Sequence, residues 1–69
     1  MNSLERVRRE ANMTQQYIAD KLEIAVSTYS QYETGARGVP RERAEKICKL
    51  LNCELNDIFL PERFTVSKT

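Results

Sequence analysis

The sequence predicts an all-α fold: a compact five-helix domain followed by a short extended tail. Three observations carry this reading. Apolar residues recur at three- and four-residue steps through the first 60 of the 69 positions. The two glycines before the tail, Gly35 and Gly38, and the first proline, Pro40, fall between periodic stretches rather than inside them. Each stretch is also bounded by residues that start or stop helices. A chain this short forms one domain with a small core, so its local signals have to agree with the fold. Residues 1–60 are expected to form that domain and residues 61–69 the tail.

The first helix opens near Ser3, an N-cap type, and runs through Leu4, Val7, Arg8 and Ala11 to Asn12, which tolerates the left-handed conformation that ends helices. Thr14 caps the second, residues 14–22, with Ile18, Ala19 and Leu22 as its apolar stripe and Gln15, Gln16 and Asp20 facing away. After a turn through Glu23 and Ile24, residues 26–33 repeat the pattern with Tyr29 and Tyr32, and Gly35 closes the helix. Pro40 is placed to open the fourth helix, whose stripe is Ala44, Ile47, Cys48 and Leu51 and whose end is Asn52. Leu55, Ile58 and Phe59 make a last short helix, stopped by Pro61.

Composition narrows the function. Eleven lysines and arginines against ten acidic residues give a net charge of +1. For a nucleic-acid binder, that makes the placement of the basic residues matter more than their number. No stretch is long and apolar enough to span a bilayer, and Met1 to Glu10 is charged where a signal peptide is hydrophobic, so the expected compartment is cytoplasmic. With no histidine, Cys48 and Cys53 lack the partners of a zinc site. Free, buried thiols are expected there, since a disulfide would need one of the two to leave the helix. There is no glycine-rich phosphate loop and no carboxylate pair in a cleft, which argues against an enzyme, a cofactor or a small-molecule substrate.

The third helix offers more than compaction needs. Turning Tyr29 inward leaves Ser27, Ser30, Gln31 and Thr34 on the outer side, at about 100 degrees per residue. A face of hydroxyl and amide groups suits base edges, whereas an ordinary solvated face carries lysine and glutamate. The helix-four charges Arg41, Arg43, Lys46 and Lys49, alternating with Glu42 and Glu45, have that ordinary look, with Arg41 alone near enough to the helix start to be considered for DNA.

Residues Met13 to Leu22 (MTQQYIADKL) and Ser27 to Gly35 (STYSQYETG) resemble the Cro and repressor type of helix-turn-helix, the Xre family. The likeness continues through Ala44 to Leu51 and Leu55 to Phe59, covering about residues 4–60. It implies a lambda-repressor-like fold and sequence-specific binding of double-stranded DNA. Carried over position by position, it gives Gln15 a phosphate contact and a brace on the third helix. Val26, Ser27 and Gln31 match base-reading positions on the recognition helix, and Thr28 a phosphate position. Arg8 and Glu33 match a structural ion pair, and Arg37, in the loop beyond, is the best-placed phosphate clamp.

Five positions depart from the family's pattern. Glu23 occupies a turn position where the family commonly has glycine, and Ala25 an N-cap where it commonly has serine. Val26 stands where many relatives have arginine or glutamine; it suits a thymine methyl but not guanine. Tyr29 and Tyr32 replace aliphatic residues, so their hydroxyls need partners. One module reads few base pairs, so the expected partner is a palindromic operator bound by a homodimer, paired through Leu55, Phe59, Leu60, Phe64 and Val66. The resemblance implies a small transcriptional repressor of phage or mobile-element origin. The alternative is a protein-binding role on the same fold, as an antitoxin or a recombinase partner.

Overall fold

The computed structural model describes residues 3–59. The tail, with Leu60, Phe64 and Val66, lies outside them. Five helices follow one another: α1 (Ser3–Glu10), α2 (Gln15–Leu22), α3 (Val26–Thr34), α4 (Arg41–Leu51) and α5 (Leu55–Ile58). Helix α2 packs on α3 and α4, while α5 closes against α1 and α4.

Three of the helices end in one way. After α1, α2 and α4 a left-handed residue reverses the chain: Asn12 (φ 59°), Glu23 (φ 58°) and Asn52 (φ 55°). In each case the next amide reaches back to a carbonyl five residues earlier: Met13 to Arg8 at 3.1 Å, Ile24 to Ala19 at 3.0 Å and Cys53 to Cys48 at 3.0 Å. This is the Schellman closure, which satisfies carbonyls that the helix leaves orphaned. Asparagine adopts the left-handed region at little cost, but glutamate has no such aptitude, and an ordinary L-residue gives up roughly 1–2 kcal/mol there. Glu23→Gly is therefore expected to raise stability by about 1 kcal/mol, part of the gain being offset by the freer unfolded chain. Urea denaturation would show it as a higher midpoint at unchanged slope.

Helix starts are less uniform. The Thr14 hydroxyl caps α2 by accepting from the Tyr17 amide at 3.0 Å, whereas Ala25 begins α3 with no side-chain cap. Helix α1 already includes Ser3, so this serine stands inside the helix rather than at its N-cap. Pro40 is the residue before the first turn of α4.

The core draws on every helix, with Leu4, Ile18, Tyr29, Tyr32, Ile47 and Ile58 its largest fully buried side chains. Tyr29 and Tyr32 meet edge to face, ring centroids 6.4 Å apart at 79°. Ala11, expected on the stripe of α1, is exposed because the helix ends at Glu10. Phe59 is 2% exposed within the chain's own core and Leu55 packs against it half-buried. The apolar surplus expected on the last helix is thus largely absorbed by the monomer. Cys48 is buried and Cys53 half-buried, both as free thiols.

Candidate nucleic-acid interface

Helix α3 buries Tyr29, Tyr32 and Glu33 and turns its other side outward. On that outer side Val26, Ser27, Gln31 and Thr34 are exposed, and Thr28 and Ser30 are half-buried. Val26 keeps 37% of its surface although it is a large apolar residue at the head of the helix. Thr34 has local work instead: its hydroxyl donates to the Gln31 carbonyl at 3.1 Å and accepts from the Ala36 amide at 3.3 Å, finishing the helix.

The inner side of α3 is fixed by charge. Glu33 accepts from Arg8 Nε at 2.5 Å and Arg8 Nη2 at 3.4 Å, with both side chains almost wholly enclosed. Arg8 Nη1 reaches the Met13 carbonyl at 2.9 Å, and its bond to Glu33 raises the guanidinium pKa further, opposed by burial. Gln15, the first residue of α2, donates its amide to the same Glu33 carboxylate at 2.8 Å. One carboxylate thus ties α1, the start of α2 and the end of α3 together. Gln15 keeps a second amide hydrogen for an acceptor outside the protein.

The two tyrosine hydroxyls fare differently. That of Tyr32 accepts from Arg43 Nη1 at 2.8 Å, linking α3 to α4. Arg43 is therefore a half-buried positioning residue, not part of a plain solvated face; charge alternation along α4 gave no hint of this. The Tyr29 hydroxyl is buried and has no hydrogen-bond partner among the described residues. Burial, followed by the nearby Glu33 charge, pushes its pKa well above the ordinary value.

Arg37 stands in the exposed loop after α3, where its backbone amide donates to the Gln31 carbonyl at 3.3 Å. Its Nε donates to Gln31 Oε1 at 2.9 Å. Sequence reasoning placed both residues at the interface but did not see that they touch.

Two helices joined by a tight left-handed turn, the first braced through Gln15 and the second presenting a polar outer side, are the geometry with which a helix enters a major groove. A helix-turn-helix family model matches residues 4–58. The chain belongs to the Cro/C1-type helix-turn-helix family. Neither the curated proteins nor the solved structures yield a match. Family membership makes this helix-turn-helix protein a sequence-specific DNA binder of regulatory type. Among the described residues no group of histidine, cysteine, aspartate or glutamate side chains is arranged to hold a metal, and no helix is long and apolar enough to cross a membrane.

Proposed function

We propose that the protein represses transcription by binding a two-fold operator as a homodimer, with Val26, Ser27 and Gln31 reading bases and Gln15, Thr28 and Arg37 holding phosphates. The observation that carries this reading is the contrast between the two sides of α3. Its inner side is locked by the buried Arg8–Glu33–Gln15 network, while its outer side exposes uncharged Ser27 and Gln31. A rigidly held helix with small polar groups outward is pre-organised for base edges, so little ordering cost falls on binding. Val26 adds an apolar contact suited to a thymine methyl.

The size of the module, 26 Å in its longest dimension, supports a dimer. One module spans less than the one helical turn, about 34 Å, that separates two half-sites. With Phe59 inside the monomer core, the pairing surface would use Leu55 and the residues after it, Leu60, Phe64 and Val66.

The test is selection of retained sequences from a random duplex pool at two salt concentrations, for the wild type and for Ser27→Ala/Gln31→Ala. A palindromic motif that the double variant loses is the expected result, with about 1–3 kcal/mol of discrimination removed per lost base contact. Weak retention that vanishes with salt and selects no motif would sink the reading and point to a protein partner, with DNA contact incidental.

A further inference from the structure

We propose that Arg37 sets the base preference of Gln31, turning an ambivalent amide into a hydrogen-bond donor that reads guanine. The inference rests on the DNA-binding role proposed above and deepens it. A glutamine amide at a groove can pair with adenine by accepting and donating at once, or with guanine by donating alone. Which it does depends on which end of the amide is free, and in an exposed side chain that end is ordinarily undecided.

Here it is decided by a neighbour. Arginine has donors only, so the Gln31 atom that meets Arg37 Nε at 2.9 Å must be the carbonyl oxygen. The amide nitrogen is then the end left to donate elsewhere. The backbone that carries Arg37 is held, because its own amide donates to the Gln31 backbone carbonyl at 3.3 Å. Thr34, bonded to that same carbonyl at 3.1 Å, stiffens the turn from the other side. The side-chain contact is exposed, and what supports it is the backbone between the two residues, held by these bonds.

An outward NH2 group faces two acceptors on guanine, O6 and N7. On adenine it meets one acceptor beside a competing NH2 donor, on thymine one acceptor beside a methyl group, and on cytosine a donor. Guanine is thus the base that the held amide fits. The guanidinium keeps its Nη groups for a backbone phosphate, so one side chain both positions a base reader and neutralises the strand next to it. This role differs from that of a simple clamp, which adds affinity to every sequence alike.

The experiment uses the full chain and a set of duplexes carrying each of the four bases at the position whose preference Gln31→Ala abolishes. Affinities are measured at two salt concentrations for the wild type and Arg37→Ala; since Arg37 is exposed, its removal leaves the core untouched. The wild type is expected to favour guanine over adenine about tenfold at that position. Arg37→Ala is expected to bring that ratio close to one and to lower the salt slope by about 1. The proposal is overturned if the wild type prefers adenine there, or if Arg37→Ala weakens all four duplexes equally. It is also overturned if Gln31→Ala alters no position while the remaining motif stays selective, a result that leaves the proposed function standing. Absence of any preferred sequence would remove that function and this inference together.

Discussion

Glu33→Ala is expected to leave most of the protein unfolded at room temperature. The carboxylate is the common partner of Arg8, 2.5 Å away, and Gln15, 2.8 Å away. Its removal strands a guanidinium that is only 10% exposed, with the Met13 carbonyl as its remaining partner. Breaking a buried ion pair by deleting one member costs about 3–5 kcal/mol, because the other charge stays buried without compensation. A domain of this size has little more than that in total. Circular dichroism with urea titration would measure the loss, and a cost under about 1 kcal/mol would show that the pair is not what holds α1 to α3. Replacing both members, Arg8→Met with Glu33→Leu, should recover most of the stability, since an apolar pair removes the stranded charge. DNA binding should not recover in step, because Gln15 would still lack its brace on α3. The double variant thus separates the fold from the orientation of the recognition helix.

A second large effect is expected in alkali. Burial, with a smaller contribution from Cys53, pushes the Cys48 thiol from 9.0 up to about 12. Tyr29, buried beside Glu33, titrates well above its ordinary 10.0. Both groups stay protonated in the folded protein at pH values where the unfolded chain has begun to ionise. The unfolded state then binds fewer protons, so folding stability is whole below pH 9 and falls as the pH rises from 9 towards 12. Each group contributes a slope of about 1 kcal/mol per pH unit once its unfolded form titrates. Thermal melts from pH 8 to 11 should show Cys48 acting first and Tyr29 adding to it above pH 10. Cys48→Ala should flatten the early part of the decline and Tyr29→Phe the later part. Because the buried Tyr29 hydroxyl has no hydrogen-bond partner among the described residues, the phenylalanine variant should also be at least as stable as the wild type at neutral pH. Parallel declines in all three proteins would show that neither group is held protonated by the fold.

The two effects spring from residues that differ in how plainly the sequence announces them. Asn12, Asn52 and Gly35 stop their helices as residue type alone predicts, and the stripe of Ile18, Ala19 and Leu22 faces inward as its spacing requires. Glu23 is different: likeness to a family marks its position as a turn, but nothing local in a glutamate asks for the left-handed region. The polar outer side of α3 was legible from helical periodicity once Tyr29 was placed inside. Of the contacts between residues far apart in sequence, the family likeness gave the Arg8–Glu33 pair and the Gln15 brace, and helical periodicity gave none. Arg43 looks like one of several alternating charges until α4 is laid against α3, where its guanidinium finds the Tyr32 hydroxyl. Phe59 has the spacing of a helix stripe, and a stripe does not say whether its own core or another subunit will cover it. The Arg37–Gln31 bond depends on how a loop folds back, which no repeat pattern encodes.

The shared way of ending α1, α2 and α4 bears on how the molecule comes into being. Each reversal is closed by an amide and a carbonyl five residues apart, so the chain's changes of direction rest on contacts local in sequence. Small helical domains with such near-neighbour order reach the native state in microseconds to milliseconds. When reclosing is that quick, a protease captures the chain in proportion to the fraction open at equilibrium, not to the rate of opening. The abundance of this protein in a cell is then expected to follow its free energy of folding. By that route a left-handed glutamate at position 23 and one buried carboxylate at position 33 are expected to affect how many copies are present to meet DNA.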